Sequence, residues 1–506
     1  MAAKIIRKEG KKLIIEITID LEDSMLDSEE AIQVVVNEAG TLATEEALKQ
    51  FDTQGEAIEI EGKPWRSKGQ EEKFYQTPYG EIRCARHVYH HHGRGQTFCP
   101  LEQSARIMGS STPRFAKQVS IKMACNAALD VQQDFLECQG RKISASFLQN
   151  LSQKVAGIAE QQETKWHYDL PNFQKAIASI AISLDGTCMH MSKDGWREAM
   201  AGTISFYDAK GDRQHTIYLG ATPEYGKADF LRRFTAEIER VKAHFPNAKT
   251  VGLADGAECN WRFLTPHTQT QILDFYHASS YLGAVANAKY PKDKSAHKAW
   301  LEDRCHQLKH TAGAAEALYN EMVALHARKG TQKLPRHLRD KLGAAITYYK
   351  NHRHQMDYIS YTEHYFPIGS GVTEAACKTL IKQRFCLAGM RWKQPGAAGI
   401  LNLRALVFNG SKMDAVLAKN KSLWRSSCCG CFKLRSHPFE KRLYFEDSRF
   451  SFVVCTIVDY ALNNHNALKH HPLDNLQFLI ERTINRQCDG RNRTVGRNDH
   501  LKCMSN

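Results

Sequence analysis

Apolar positions change texture three times along the chain. Up to residue 77 they are sparse and helically spaced, with Ile32, Val35, Val36, Leu42 and Leu48 among acidic neighbours, so 1–77 reads as an acidic helical N-terminal region. Residues 78–100 read as a strand pair, opened by Tyr79-Gly80 and turned by His92-Gly93-Arg94-Gly95. A helical stretch, about 102–165, follows, and Ser111-Thr112-Pro113 offers it a start with proline at the first helical position. Gln139-Gly140-Arg141 separates two amphipathic segments, the second carrying Gln149, Asn150, Gln153 and Lys154 on its polar face. A helix-turn-helix with its recognition helix near 146–160 fits this pattern; a plain helical hairpin fits as well. Residues 78–172 are thus expected to form a hairpin-plus-helical DNA-binding region.

From Ala176 the texture becomes α/β. Residues 177–184 form a nearly continuous apolar run, as expected of a strand buried on both faces. Ala199–Tyr207 and His215–Leu219 predict two more strands about the turn Asp208-Ala209-Lys210-Gly211-Asp212. A helix near 227–243, strands at 249–254 and 270–275, a helical block over 278–362 and a last helix from Thr373 to about Leu387 complete the order. That order is ribonuclease H-like. The expected class is a multidomain α/β protein: a ribonuclease H-like mixed-sheet catalytic domain over 173–424 with a helical insertion at about 278–362, preceded by a mostly helical DNA-binding region and followed by an atypical tail, 425–506.

Charge sharpens this reading. The 506-residue chain carries a net +14, yet residues 1–60 alone carry −8, which leaves +22 on the remainder. A basic body of that size favours a polyanionic partner, because counterions released from phosphates drive association. Fifteen cysteines without paired spacing argue for reduced thiols and a cytoplasmic setting. The longest apolar-rich stretch, Phe450 to Leu462, contains Asp459 and is too short to span a bilayer, so no membrane role is expected.

Three acidic residues carry the candidate chemistry. Asp185 and Asp255 each follow an apolar run and precede glycine, whereas Glu374 follows Gly369-Ser370-Gly371 in the first turn of a helix. Each alone suits a turn or a helix start. Together, on a basic protein, they form a set that can hold two divalent cations for phosphodiester displacement. Hard oxygen ligands suit Mg²⁺ or Mn²⁺. Lys378 and Lys382 follow Glu374 at helical spacing and could meet phosphates; Arg384, Arg391 and Trp392 are further DNA-contact candidates, Trp392 by stacking. His277, in Asp274-Phe275-Tyr276-His277, could support the site. Cys84, His87, His90, His91, His92 and Cys99 invite a zinc reading, which the lack of any Cys-x-x-Cys weakens.

Leu184-Asp185-Gly186-Thr187, Trp196-Arg197-Glu198, Leu253-Ala254-Asp255-Gly256, Leu273-Asp274-Phe275-Tyr276-His277, Ile368-Gly369-Ser370-Gly371-Val372-Thr373-Glu374, Gly389-Met390-Arg391-Trp392 and Leu403-Arg404-Ala405-Leu406 resemble the Kra-type bacterial insertion-sequence transposases, within the DDE group. The resemblance spans roughly 80–424. It implies that Asp185, Asp255 and Glu374 are the catalytic and metal-holding triad, with Asp185 shared by both cations. It further implies a nucleoid-associated enzyme that oligomerises on DNA, cleaves the ends of a mobile element and joins the freed 3′-hydroxyl to target DNA. A ribonuclease H-like nuclease or resolvase without strand transfer, or a non-catalytic DNA-binding derivative, are the alternatives. The resemblance stops near Trp424, which makes 425–506 read as a read-through or frameshifted extension.

Overall fold

A computed structural model describes residues 2–60, 63–91, 97–162, 170–224 and 227–410. The expected tail, 425–506, lies outside the described residues. The N-terminal region differs from the helical expectation. It opens with an antiparallel hairpin, β1 (Ala3–Glu9) and β2 (Lys12–Ile17), turned at Gly10 with φ +57°. Ile5, Ile6, Ile14 and Ile15 favour extended backbone, and two short β-branched runs around a glycine outweigh the acidic composition. Only α1 (Met25–Lys49) is helical, and it buries Val35 and Leu48. A second antiparallel sheet follows in spatial order β3 (Ile58–Ile60), β4 (Lys63–Gln76), β5 (Glu81–His90) and β6 (Thr97–Phe98). The main partner of β5 is therefore β4, across the Thr77–Gly80 turn, and β6 adds a short pairing of Tyr89 with Phe98. The expected glycine turn at 92–95 lies outside the described residues.

Helices α2 (Pro100–Ser104), α3 (Pro113–Cys125), α4 (Ala128–Gln139) and α5 (Ala145–Gln162) come next. Pro113 occupies the first position of α3. Gly140, at φ +63°, ends α4: its N–H donates to the Leu136 carbonyl (2.9 Å) and that of Arg141 to Phe135 (3.0 Å). Gln149, Asn150, Gln153 and Lys154 are exposed on α5, while Leu148, Leu151, Val155 and Ala159 are buried.

A five-stranded mixed sheet follows: β7 (Ile177–Met191), β8 (Gly195–Asp208), β9 (Arg213–Ala221), β10 (Lys249–Ala254) and β11 (Thr270–Leu273), in spatial order β11-β10-β7-β8-β9. Strands β7, β8 and β9 run antiparallel to their neighbours; β10 and β11 run parallel to β7. Helix α6 (Ala228–His244) connects β9 to β10, and α7 (Glu258–Leu264) connects β10 to β11. The helical block is α8 (Phe275–Lys289), α9 (Lys294–His310), α10 (Ala314–Ala327), α11 (Arg336–His352) and α12 (Tyr358–Glu363). The last helical stretch is α13 (Gly371–Ala376), a π-helical turn (Cys377–Lys382) and the short α14 (Gln383–Phe385), then α15 (Gln394–Phe408).

Strand β7 outruns its expected end by seven residues. The apolar run stops at Leu184, but Met189 and Met191 keep alternate positions buried, and β8 pairs with β7 as far as Met191. Two cores form. One joins Ile180, Ile182, Ile204 and Phe206 of the sheet to α6, α8, α10 and α11. The other joins α3, α4 and α5 to Met189, Met191, Ala199, the π turn and α15. The helices expected to belong to a separate DNA-binding region thus share a core with the sheet, because the far halves of β7 and β8 offer them an apolar face.

Edge strand β9 is closed by one side chain. The Asn409 carboxamide accepts the Tyr218 N–H (2.8 Å) and donates to the Tyr218 carbonyl (2.7 Å), much as a further strand would. Asn409→Ala is expected to lower stability by about 2 kcal/mol, read as a lower urea midpoint at unchanged m-value.

Candidate functional site

The site begins with strand register. On parallel β10, Leu253 stands opposite Ser183 of β7, so two residues further on Asp255 follows in line with Asp185. On β11, Leu273 stands opposite Ala254, which brings Asp274 into line with Asp255. Three aspartates therefore mark the carboxyl ends of three adjacent parallel ladders. Asp185 stands where β7 leaves β10 yet stays paired with β8, its position opposite Ala201.

Local contacts fix each aspartate. Asp185 accepts the Gly186 N–H (2.7 Å), and the Cys377 thiol lies 3.7 Å from its Oδ2. Asn260 donates to both the Leu184 carbonyl and Asp255 Oδ1 (3.4 Å each), stapling the two strand ends together. The Tyr348 hydroxyl, from α11, donates to the Asp255 carbonyl (2.7 Å). Gly256 beside it has φ +105°, and a Cβ there would meet the Tyr348 ring at 2.9 Å.

Glu374 arrives from the other side. The buried Thr373 and Thr203 hydroxyls lie 2.6 Å apart and hold α13 on β8. Ser370 precedes α13, and its hydroxyl stands 2.8 Å from Asp274 Oδ2 and 3.1 Å from Glu374 Oε1. Asp274 is wholly buried and also accepts the backbone N–H groups of Ser370 and His277. The expected strand 270–275 ends early for this reason: Asp274 caps α8, with His277 at its third position. His277 Nδ1 is then 3.2 Å from Asp274 Oδ1 and 3.9 Å from Glu374 Oε1. Among the described residues, Asp274, His277 and Glu374 are the set whose ligand atoms lie within 4.8 Å of one another, a possible metal-binding triad. Asp185 and Asp255 do not join Glu374 at that closeness. Sequence reasoning included His277 but missed Asp274 as a ligand; its spacing from His277 was the available signal.

An open groove of about 620 Å³ runs past Asp185, Thr187, Glu374, Cys377, Lys378 and Lys382. Lys378 and Lys382 are exposed along it, as is Arg391 elsewhere on the surface. Burial first, then the charges of Asp255 and Glu374, push the Asp185 carboxyl above the usual aspartate range, against the pull of the Gly186 N–H. Burial, reinforced by Asp185, pushes the Cys377 thiol up to about 12, so it stays protonated. Burial also lowers His352, which lies near Gly256.

Two expected DNA contacts need correction. Arg384 is buried, donates from Nε and Nη2 to the Met123 carbonyl (3.3 and 3.2 Å), and is pushed down to about 10 by burial. Trp392 lies under it, 5.1 Å from the guanidinium, with its indole N–H donated to the Phe385 carbonyl (3.1 Å) and its backbone paired to His190 and Ser192. Both side chains are used in packing, since the π turn carries the chain inward after Lys382. The zinc reading also finds no support in the geometry. Cys84 is buried in the N-terminal core, His87 pairs with Asp52 (3.0 Å), and His92 lies outside the described residues. All nine described cysteines are free thiols.

Compared with known proteins, the chain matches no family model and no curated relative. No described helix is long and apolar enough to cross a membrane.

Two outcomes follow for variants. Arg384→Ala is expected to cost about 2–3 kcal/mol in urea unfolding, whereas Lys382→Ala stays within about 0.5 kcal/mol of the parent. Because the folded-state pKa of Asp185 is raised, its contribution to stability is greatest at low pH and is lost as pH rises through that value. Asp185→Asn should therefore raise the melting temperature at pH 7, with the gain shrinking in acid, as thermal scans across pH would record.

Proposed function

We propose that this protein is a divalent-cation-dependent DNA transposase of the DDE type, built on a ribonuclease H-like fold. The spatial order β11-β10-β7-β8-β9, with an antiparallel meander and two parallel strands, supports the fold reading. The observation that carries the function is the aligned pair Asp185 and Asp255 beside a groove shared by Glu374, Lys378 and Lys382.

The residues fit the cations the chemistry needs. Among the described residues neither Asp185 nor Asp255 has a salt-bridge partner, and the raised pKa of Asp185 reflects uncompensated negative charge that a cation would relieve. Asp185, Asp255 and Glu374 would hold Mg²⁺ or Mn²⁺; Asp274 and His277 offer a neighbouring donor set that shares Glu374, and imidazole there favours Mn²⁺ over Mg²⁺. Bound there, the cations supply charge neutralisation and activation of the attacking hydroxyl. The protein does the rest. Lys378 and Lys382 bind the phosphates on either side of the scissile bond, and their positions beyond Glu374 set the strand's direction. Asn260, Tyr348 and Ser370 keep the carboxylates in place. The exposed face of α5 reads the element ends, the α8–α12 block organises paired ends, and two or more copies assemble on DNA. The protein acts in the cytoplasm, at the nucleoid.

The test is cleavage and joining of labelled element-end DNA with a target plasmid in Mg²⁺ or Mn²⁺. Wild type is expected to give nicked and joined products, and Glu374→Gln to lose both by at least about 10³-fold. Hydrolysis without joined products would make the protein a nuclease. Binding without cleavage in either protein would leave a DNA-binding role only.

A further inference from the structure

Tyr276 is among the most exposed aromatic side chains of the described residues, at 71% of its full accessibility, and it stands in the first turn of α8 between Phe275 and His277. Its ring is held against bare backbone. A Cβ on Gly369 would come within 3.1 Å of Tyr276 Cε2 and 3.3 Å of Cδ2, tighter than ordinary packing, so the ring rests where only glycine leaves room. Its neighbours are also fixed: the Phe275 N–H donates to the Ile368 carbonyl (2.9 Å), and Phe275 packs edge-on to Tyr358 at 5.1 Å. The loop that supports the ring is the one that presents Glu374, five residues beyond Gly369, and the next residue along α8, His277, lies 3.9 Å from Glu374.

A large aromatic surface left open to water beside a candidate phosphodiester site calls for a partner with a π-face. Bases inside a duplex hide their faces against each other. A base that has left the stack presents them, and stacking on an aromatic side chain tolerates any base. We propose that Tyr276 is a stacking platform for an unpaired nucleobase next to the scissile phosphate, so that the preferred substrate at the cut is frayed or single-stranded rather than fully paired DNA. This rests on the DNA-cleaving reading given above. Tyr276 would be a positioning residue: it holds the nucleotide that fixes which phosphate enters the groove of Asp185 and Glu374. Its rigidity suits this, because little side-chain freedom is lost on stacking when Gly369 and Phe275 already confine the ring.

The experiment uses the full chain in Ca²⁺ and a forked DNA duplex with one unpaired thymidine arm, in which 5-iododeoxyuridine replaces each thymidine in turn. Irradiation joins this base to an aromatic ring stacked on it, and binding is followed by fluorescence anisotropy. A cross-link mapped to Tyr276 from one or two arm positions is expected. Tyr276→Phe should retain it; Tyr276→Ala should abolish it and weaken fork binding about tenfold, with binding of fully paired DNA unchanged. If the fork binds but cross-links elsewhere, or Tyr276→Ala binds it as tightly as wild type, the platform is overturned and the nuclease reading stands. If the full chain binds neither fork nor duplex, the DNA-cleaving reading falls and the platform with it.

Discussion

The buried carboxyl group of Asp274 organises the candidate site. It has no exposure to water, so it depends on protein donors, and it finds three: the N–H groups of His277 and Ser370 and the Ser370 hydroxyl. One donor belongs to the start of α8 and two to the loop before α13, segments almost a hundred residues apart in the chain. A buried polar group that loses its partners costs roughly 1–3 kcal/mol, so these segments are held together more firmly than loop packing alone would hold them. The positions of Glu374, His277 and Tyr276 all derive from that junction.

The metal-competent part of the site is less compact than a set of three acids suggests. Asp185 and Asp255 are neighbours by strand register, an arrangement set by the parallel ladder and stiffened by Asn260. Glu374 is delivered by a helix and lies closer to Asp274 and His277. Two donor sets therefore meet at Glu374, one of oxygens only and one with an imidazole. Between them the protonated Cys377 thiol shields one oxygen of Asp185.

Much of the sheet was legible in the chain. Parallel strands buried on both faces leave continuous apolar runs, and 177–184 and 249–254 are such runs; an aspartate followed by glycine at their ends stands out. The N-terminal hairpin was hidden because acidic residues surround its isoleucines and charge masks a short alternation. The extension of β7 to Met191 was hidden because its pairing partner is β8, and a single strand's pattern does not report its neighbour. Arg384 was misplaced for a related reason. A basic residue two positions after Lys382 looks solvent-facing on a regular helix, and nothing local announces the π turn that buries it against the Met123 carbonyl. Tertiary partners decided the elements that local pattern left open.

The π turn also bears on insertions and deletions. Such a turn is what an α-helix becomes when it carries one residue more than its register needs. Loss of one residue between Cys377 and Lys382 would let the helix close without breaking, but everything after the gap would rotate by about 100° relative to Glu374. Lys382 would swing out of the groove and Arg384 away from its carbonyl. The segment thus acts as a length gauge, lenient toward exchanges of side chain and strict about the number of residues between the acid and the bases that follow it.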